Sequence, residues 1–348
     1  MQSSLKSTRT LTILLTILFF TSVVHLFFGY QDLSLSKMLE IFKFQFSSDN
    51  YNKELETWAF IVFDLRITSI LMCILVGIGL GTSGAILQGL FRNPLVDPGF
   101  IGVSSGAALG AILGIMFGNV LEQYIPSFLN PFLISILAII GSFITTIIVF
   151  GMSKVYSKTN IMVMLLSGIA INALVGSVIG VLISVSSDEQ LRTFTFWGMG
   201  NLESKNWTQV LISIFFITAS FMFIIKLKRQ LDIFMLGDSE SYQLGLDVEL
   251  LKKKVIIISS TMVGISVAFC GMIGFIGLVT PHLIRLIIGP KHNFLIPCSA
   301  IMGAILILIS ELISKKINIP IGVITSALGA PFFIWLIISQ KGKIGYSE

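Results

Sequence analysis

Apolar runs long enough to cross a lipid bilayer recur from Leu11 to Ile338, and no other feature of the chain restricts its folding as much. A helix needs about 20 such residues to span the hydrocarbon layer. Inside that layer each backbone N–H and C=O must be satisfied within its own segment, so the runs are predicted to be helices. Composition agrees: 54% of the residues are hydrophobic and 12% charged, about half the charged share of a soluble domain. The predicted fold class is an all-α membrane protein of about ten transmembrane helices. The spans are placed near 10–29, 67–91, 98–118, 131–152, 161–184, 207–227, 255–272, 274–289, 294–313 and 321–340. Residues 1–348 are read as a single transmembrane domain, with 1–60 supplying the first helix and an outer segment.

Lys6 and Arg9 precede the first run, Leu11–Phe28, in the manner of a secretory signal. The run is long for one and no small-x-small cleavage site follows, so it is read as the first membrane helix. Most of the 23 Lys and Arg residues fall in the loops on one side of the ten spans. The positive-inside rule makes that side cytoplasmic and puts both termini there. Ten spans divide into two five-helix halves that enter from opposite sides, and an inverted repeat is the expected consequence. The net charge of +5 is spread through these loops and does not indicate nucleic acid. Cys73, Cys270 and Cys298 lie within apolar runs and are read as buried free thiols.

Against this background Gly84–Gly110 is unusual, because it places Arg92, Asn93, Pro94, Asp97 and Pro98 between small-residue-rich flanks. Asp97-Pro98 reads as an N-cap and first helical position, so one helix ends near Phe91 and the next starts at Pro98. The result is a polar elbow on the cytoplasmic side, expected to be structural, with Arg92 and Asn93 satisfying the backbone of the turn. The long loop Arg229–Lys254 mixes charges with Phe234, Met235, Leu236 and Leu244 and carries Gly237 and Gly245. It is read as two short amphipathic helices hinged at Gly237–Asp238 that dock on a partner.

Several chemistries are missing. There is no G-x-x-x-x-G-K-[ST], so the chain has no phosphate loop of its own, and the glycines of Gly77-Ile-Gly79-Leu-Gly81 are read as helix-packing sites. The three histidines are scattered, and His282, beside Pro281, is read as a hydrogen-bonding partner for broken backbone. An ion-coupled secondary carrier would need a buried charge pair or cation site. A membrane enzyme would need clustered carboxylates, histidines or a nucleophile. The sequence displays neither set, and no catalytic or metal-binding residue is assigned.

The segments Leu80–Gly110, Gly271–Gly303 and Ile319–Leu336 resemble the permease family of ATP-binding-cassette importers for iron-siderophores, haem and vitamin B12, the type II importers. Leu165–Ala173, Phe196–Gly200 and Leu236–Val248 fit the same pattern in the same order, and the likeness makes 61–348 the family core. It implies a non-enzymatic transport subunit in the bacterial cytoplasmic membrane, dimeric with a second copy or a close paralogue. Two separate ATPase subunits would use the ATP and Mg, this chain would bind no cofactor, and an extracytoplasmic binding protein would deliver substrate. The resemblance makes Leu236, Gly237, Asp238 and Gly245 the coupling segment to the ATPases. It makes Arg66 and Lys315 docking charges for the binding protein, although Thr68 and Ser69 replace the Pro-Arg that follows in the family pattern. Thr159, Asn160, Ile161 and Met162 fall where the family narrows its inner mouth, and Arg192 is placed to meet an anionic substrate. The reading is an importer permease for an iron chelate, haem or a ferric siderophore, with vitamin B12 as the alternative.

Overall fold

In the computed structural model, which describes residues 2–29, 31–46, 52–203 and 205–344, the chain is almost entirely helical. The helices are α1 (Gln2–Phe27), α2 (Leu35–Phe46), α3 (Lys53–Phe60), α4 (Ile67–Leu90), α5 (Val103–Leu121), α6 (Leu133–Met152) and α7 (Ile161–Ser184). They continue as α8 (Asp188–Gly198), α9 (Trp207–Phe234), α10 (Asp238–Gln243), α11 (Val248–Cys270), α12 (Ile276–Ile288), α13 (His292–Ile317) and α14 (Ile321–Ile344). Among the described residues, eight helices are long and apolar enough to cross a membrane, and the shorter apolar helices Ile276–Ile288 and Ile321–Trp335 complete ten. The only strands described form a hairpin, Lys154–Val155 with Lys158–Thr159.

The centre of the fold is α4, which is buried around nearly its whole circumference. Helices α9, α11, α12 and α13 surround it. That is possible because Gly77, Gly81 and Gly84 form one stripe. A methyl group at Gly77 would overlap the backbone of Gly303 and Ala304, one at Gly81 the Ser299 carbonyl, and one at Gly84 the Gly277 carbonyl. Helices α5 and α6 meet by the same device at Gly106 and Gly141. Close backbone approach of this kind replaces the hydrophobic drive that lipid removes.

At the elbow the expected cap forms, but what it starts is shorter than expected. Asp97 accepts the Gly99 N–H at 2.8 Å and Pro98 opens a single 3-10 turn ending at Ile101. Gly102, at φ 84°, then redirects the chain, and the membrane helix begins at Val103. A second break, between α11 and α12, carries Gly271 at φ 73° and Phe275 at φ 68°. There Gly277 packs against both Pro98 and Gly84, so the elbow and the start of the short helix α12 meet inside the protein.

Two connecting segments take definite structure, and one expectation about them is corrected. The outer segment is itself helical. Helices α2 and α3 bury Leu33, Met38, Ile41, Ala59 and Val62 in a core of their own, and α3 runs through a π-helical stretch, Ile61–Arg66, into α4. The Arg229–Lys254 region does not hold two short amphipathic helices. Leu227, Leu231 and Phe234 continue the buried stripe of α9, so that helix persists to Phe234, and α11 starts at Val248 behind an Asp247 cap. One short helix, α10, remains between them.

Candidate functional site

The elbow, the α9–α10 connection and the segment before α7 converge on one face of the bundle. Gly237, at φ 133°, takes a backbone conformation that L side chains rarely adopt, and α10 starts directly after it with Asp238. The Arg92 guanidinium closes the open end of α9: Nε and Nη2 donate to the Phe234 carbonyl at 3.1 and 2.7 Å, and the group lies 4.2 Å over the Phe234 ring. Nη2 also donates to Asp238 Oδ1 at 2.6 Å. Arg92 thus serves another helix rather than its own turn, whereas Asn93 does act locally, accepting the Leu95 N–H at 2.9 Å.

Behind Asp238 lies Lys252, only 3% exposed. Its ammonium donates to Asp238 Oδ2 at 2.9 Å, Glu249 Oε1 at 3.2 Å and the Thr159 carbonyl at 2.8 Å. Glu249 Oε2 accepts the Thr159 N–H at 2.9 Å, and Asn160 caps α7 by accepting the Val163 N–H at 3.1 Å. Partial burial works against the Asp238 carboxylate, but hydrogen bonds from Lys252 and Arg92 outweigh it and hold its pKa below the ordinary aspartate value. The ionised form is therefore the bound form. The contribution of these bonds is complete above the ordinary aspartate range and is lost as pH falls through the depressed value.

These groups line a cavity of about 610 Å³ together with Ile161 and Met162, the latter 73% exposed. The structure therefore brings together the elbow, the segment read as coupling and the segment read as an inner gate. Tyr242 lines the cavity too and is exposed, as are Met235, Leu236 and Leu244 on either side of α10, and Gly245 turns the chain at φ 79° in open space. Lys252 and Glu249 escaped the sequence reading because Lys252-Lys253-Lys254 looks like an ordinary basic loop. The signal was present in the periodicity: Val248, Leu251, Lys252 and Val255 form the buried stripe of α11, which points one of the three lysines inward.

On the opposite face the two residues read as docking charges turn inward. Arg66 is 7% exposed and donates to the carbonyls of Leu26, Phe27 and Gln31, closing the end of α1. It does not pair with Asp64, which accepts from Trp207 Nε1 at 3.2 Å. Lys315 is 8% exposed, 3.3 Å from Ser69 Oγ and 3.6 Å from the buried Glu311 carboxylate. Both cations line the wall of a 310 Å³ cavity. The carbonyls at the end of α1 have no helical partners, so the guanidinium is drawn inward to them. The Lys315–Glu311 pair is also a buried ion pair that the sequence reading did not anticipate. Arg192 is exposed on α8, its guanidinium 5.7 Å over the Phe196 ring. His282 does not support broken backbone: neither ring nitrogen has a hydrogen-bond partner among the described residues, and the ring meets Phe332 edge-on.

Comparison with known proteins follows the same lines. Residues 14–339 match the FecCD transport family. The chain is 40% identical over 282 residues to the hemin transport system permease protein HmuU of Yersinia pestis, covering 80% of this chain and 83% of that protein. It is 32% identical over 336 residues to the vitamin B12 import system permease protein BtuC of Vibrio parahaemolyticus, covering 95% and 94%. Among solved structures it is similar to an inward-facing putative metal-chelate type ABC transporter, with 30% identity and a TM-score of 0.81 over 95% of this chain and 99% of the other. Ten apolar helices around a glycine-striped centre, matched over nearly their full length, assign the chain to the FecCD transport family.

Proposed function

We propose that this chain is the permease subunit of an ATP-driven importer that carries an iron chelate, with haem as the preferred cargo, inward across the bacterial cytoplasmic membrane. The observation that carries this reading is the surface around α10. Exposed Leu236, Tyr242 and Leu244 surround a tightly bonded ionic cluster at the end of ten apolar helices. Such a rim fits a partner that pushes or pulls on a rigid point, and the chain has no phosphate loop of its own. The partners are a second copy of this chain, two ATPase subunits on the cytoplasmic face that carries the elbow, and a binding protein on the outer face. Haem is preferred because identity to the hemin permease exceeds that to the vitamin B12 permeases. No cofactor is assigned to this chain.

The test is uptake into proteoliposomes holding the chain with its ATPase and binding protein. Haem is expected to accumulate only with ATP and binding protein present, and vitamin B12 is not. Accumulation driven by a proton or sodium gradient without ATP would overturn the proposal, and uptake of vitamin B12 in place of haem would overturn the cargo. Gly237→Val forces a β-branched residue to φ 133°, and substrate-stimulated ATP hydrolysis is expected to fall at least about tenfold. Unchanged stimulation would remove the coupling role from this turn.

A further inference from the structure

We propose that Lys252 is the positioning residue that carries movement of α10 to the start of α7. This rests on the importer reading above. Asp238 is the branch point, since its two carboxylate oxygens lead to different segments. Oδ1 takes Arg92 from the α4–α5 elbow and Oδ2 takes Lys252. An ammonium has three protons, and Lys252 spends one on α10, one on its own helix through Glu249, and one on the Thr159 carbonyl. Thr159 is held a second time, because its N–H goes to the other oxygen of Glu249. Both backbone groups of the residue two before α7 are thereby fixed by the first turns of α11, and α10 is tied to the same ammonium.

The two arms from Asp238 differ in kind. Arg92 and Asp238 have side chains 32% and 42% exposed, so water and salt screen that arm. In the second arm the same carboxylate meets Lys252, which is 3% exposed, so water reaches that pair from the Asp238 side alone and screens it less. A displaced α10 must therefore either take the ammonium and Thr159 with it or leave a buried cation short of a partner, which is costly. Asn160, bonded to Ser153 on one side and capping α7 on the other, passes the displacement into the helix. Met162, two residues further on, faces the shared cavity.

The experiment uses the complete reconstituted complex with Met162→Cys as a reporter, because Cys73, Cys270 and Cys298 are all buried. A water-soluble maleimide reads the accessibility of position 162 with and without a non-hydrolysable ATP analogue. With Lys252 in place the labelling rate is expected to change about tenfold on nucleotide binding, and to do so equally at low and high salt. In Lys252→Met the change is expected to shrink below about twofold while ATP hydrolysis continues, and uptake per ATP to fall about tenfold. Lys252→Arg, which keeps charge and donors, is expected to restore part of both. Should Lys252→Met fail to assemble, Glu249→Ala frees the Thr159 N–H from the partly exposed side of the clamp and is expected to halve the response or more. A full response in either variant would overturn the linkage alone. Absence of any nucleotide effect in the complex that retains Lys252 and Glu249 would overturn the importer reading and the linkage with it.

Discussion

Gly84→Val is expected to leave little folded protein, with a stability loss of more than about 3 kcal/mol in whatever can be purified. The position lies where α4 crosses the start of α12, and an added methyl group would overlap the Gly277 carbonyl. Backbone cannot rotate out of the way as a long side chain can. Relief would require the helices to separate, and Gly277 is itself packed on Pro98 of the elbow. The damage would thus spread from the central helix to the elbow and the short helix together. Gly176 in α7 supplies the control. Nothing lies within 4 Å of a methyl group there, so Gly176→Ala is expected to stabilise the isolated chain by roughly 0.5–1 kcal/mol through helix propensity. Thermal unfolding of the two variants in the same detergent decides the matter, and equal midpoints would refute the account of close packing.

Arg66→Met is expected to cost about 3 kcal/mol and to loosen α1 from the rest of the bundle. The substitution preserves much of the apolar stem but removes the guanidinium donors from the Leu26 and Phe27 carbonyls at the end of α1 and from the Gln31 carbonyl beyond it. The Phe27 carbonyl keeps the Leu33 N–H at 2.9 Å, but the Leu26 and Gln31 carbonyls lose their guanidinium donor, and the desolvation penalty of these two dominates the loss. Arg66→Lys is expected to recover only part, since a compact ammonium lacks the planar fork that reaches the three oxygens. A docking charge would behave differently. Its loss would leave unfolding unchanged and weaken binding-protein association in a salt-dependent way. Measuring both the unfolding midpoint and association at two salt concentrations separates these roles, and a salt-dependent loss with an unchanged midpoint would restore the docking role.

The difference between those two expectations for Arg66 shows where sequence reasoning stops. A basic residue at the end of a span looks the same whether it faces water or a helix end. In this chain the carbonyls of Leu26 and Phe27 at the end of α1, and of Gln31 just beyond it, settle its direction, and they lie 35 to 40 residues away. Lys315 has the same ambiguity, resolved by Ser69 on α4. Arg92 was placed correctly on the elbow, but its partners lie more than 140 residues on, at Phe234 and Asp238.

What the sequence determined by itself was everything governed by local repetition. Apolar run length defined eight spanning helices, since a bilayer needs that length, and two shorter apolar runs marked the other two. Asp97-Pro98 announced a capped turn, since those side chains act on their own backbone. The glycine stripe of α4 announced close crossings, because a missing Cβ has the same consequence against any neighbour. The tertiary structure alone decided which charges turn inward and what they join. Hydrogen bonds to Lys252, Arg66 and Arg92 link segments far apart in the chain, and their energy depends on burial and on partners that periodicity does not encode. That is why the elbow, read as a local joint, proves to be one arm of an ionic cluster shared by α9, α10 and α11.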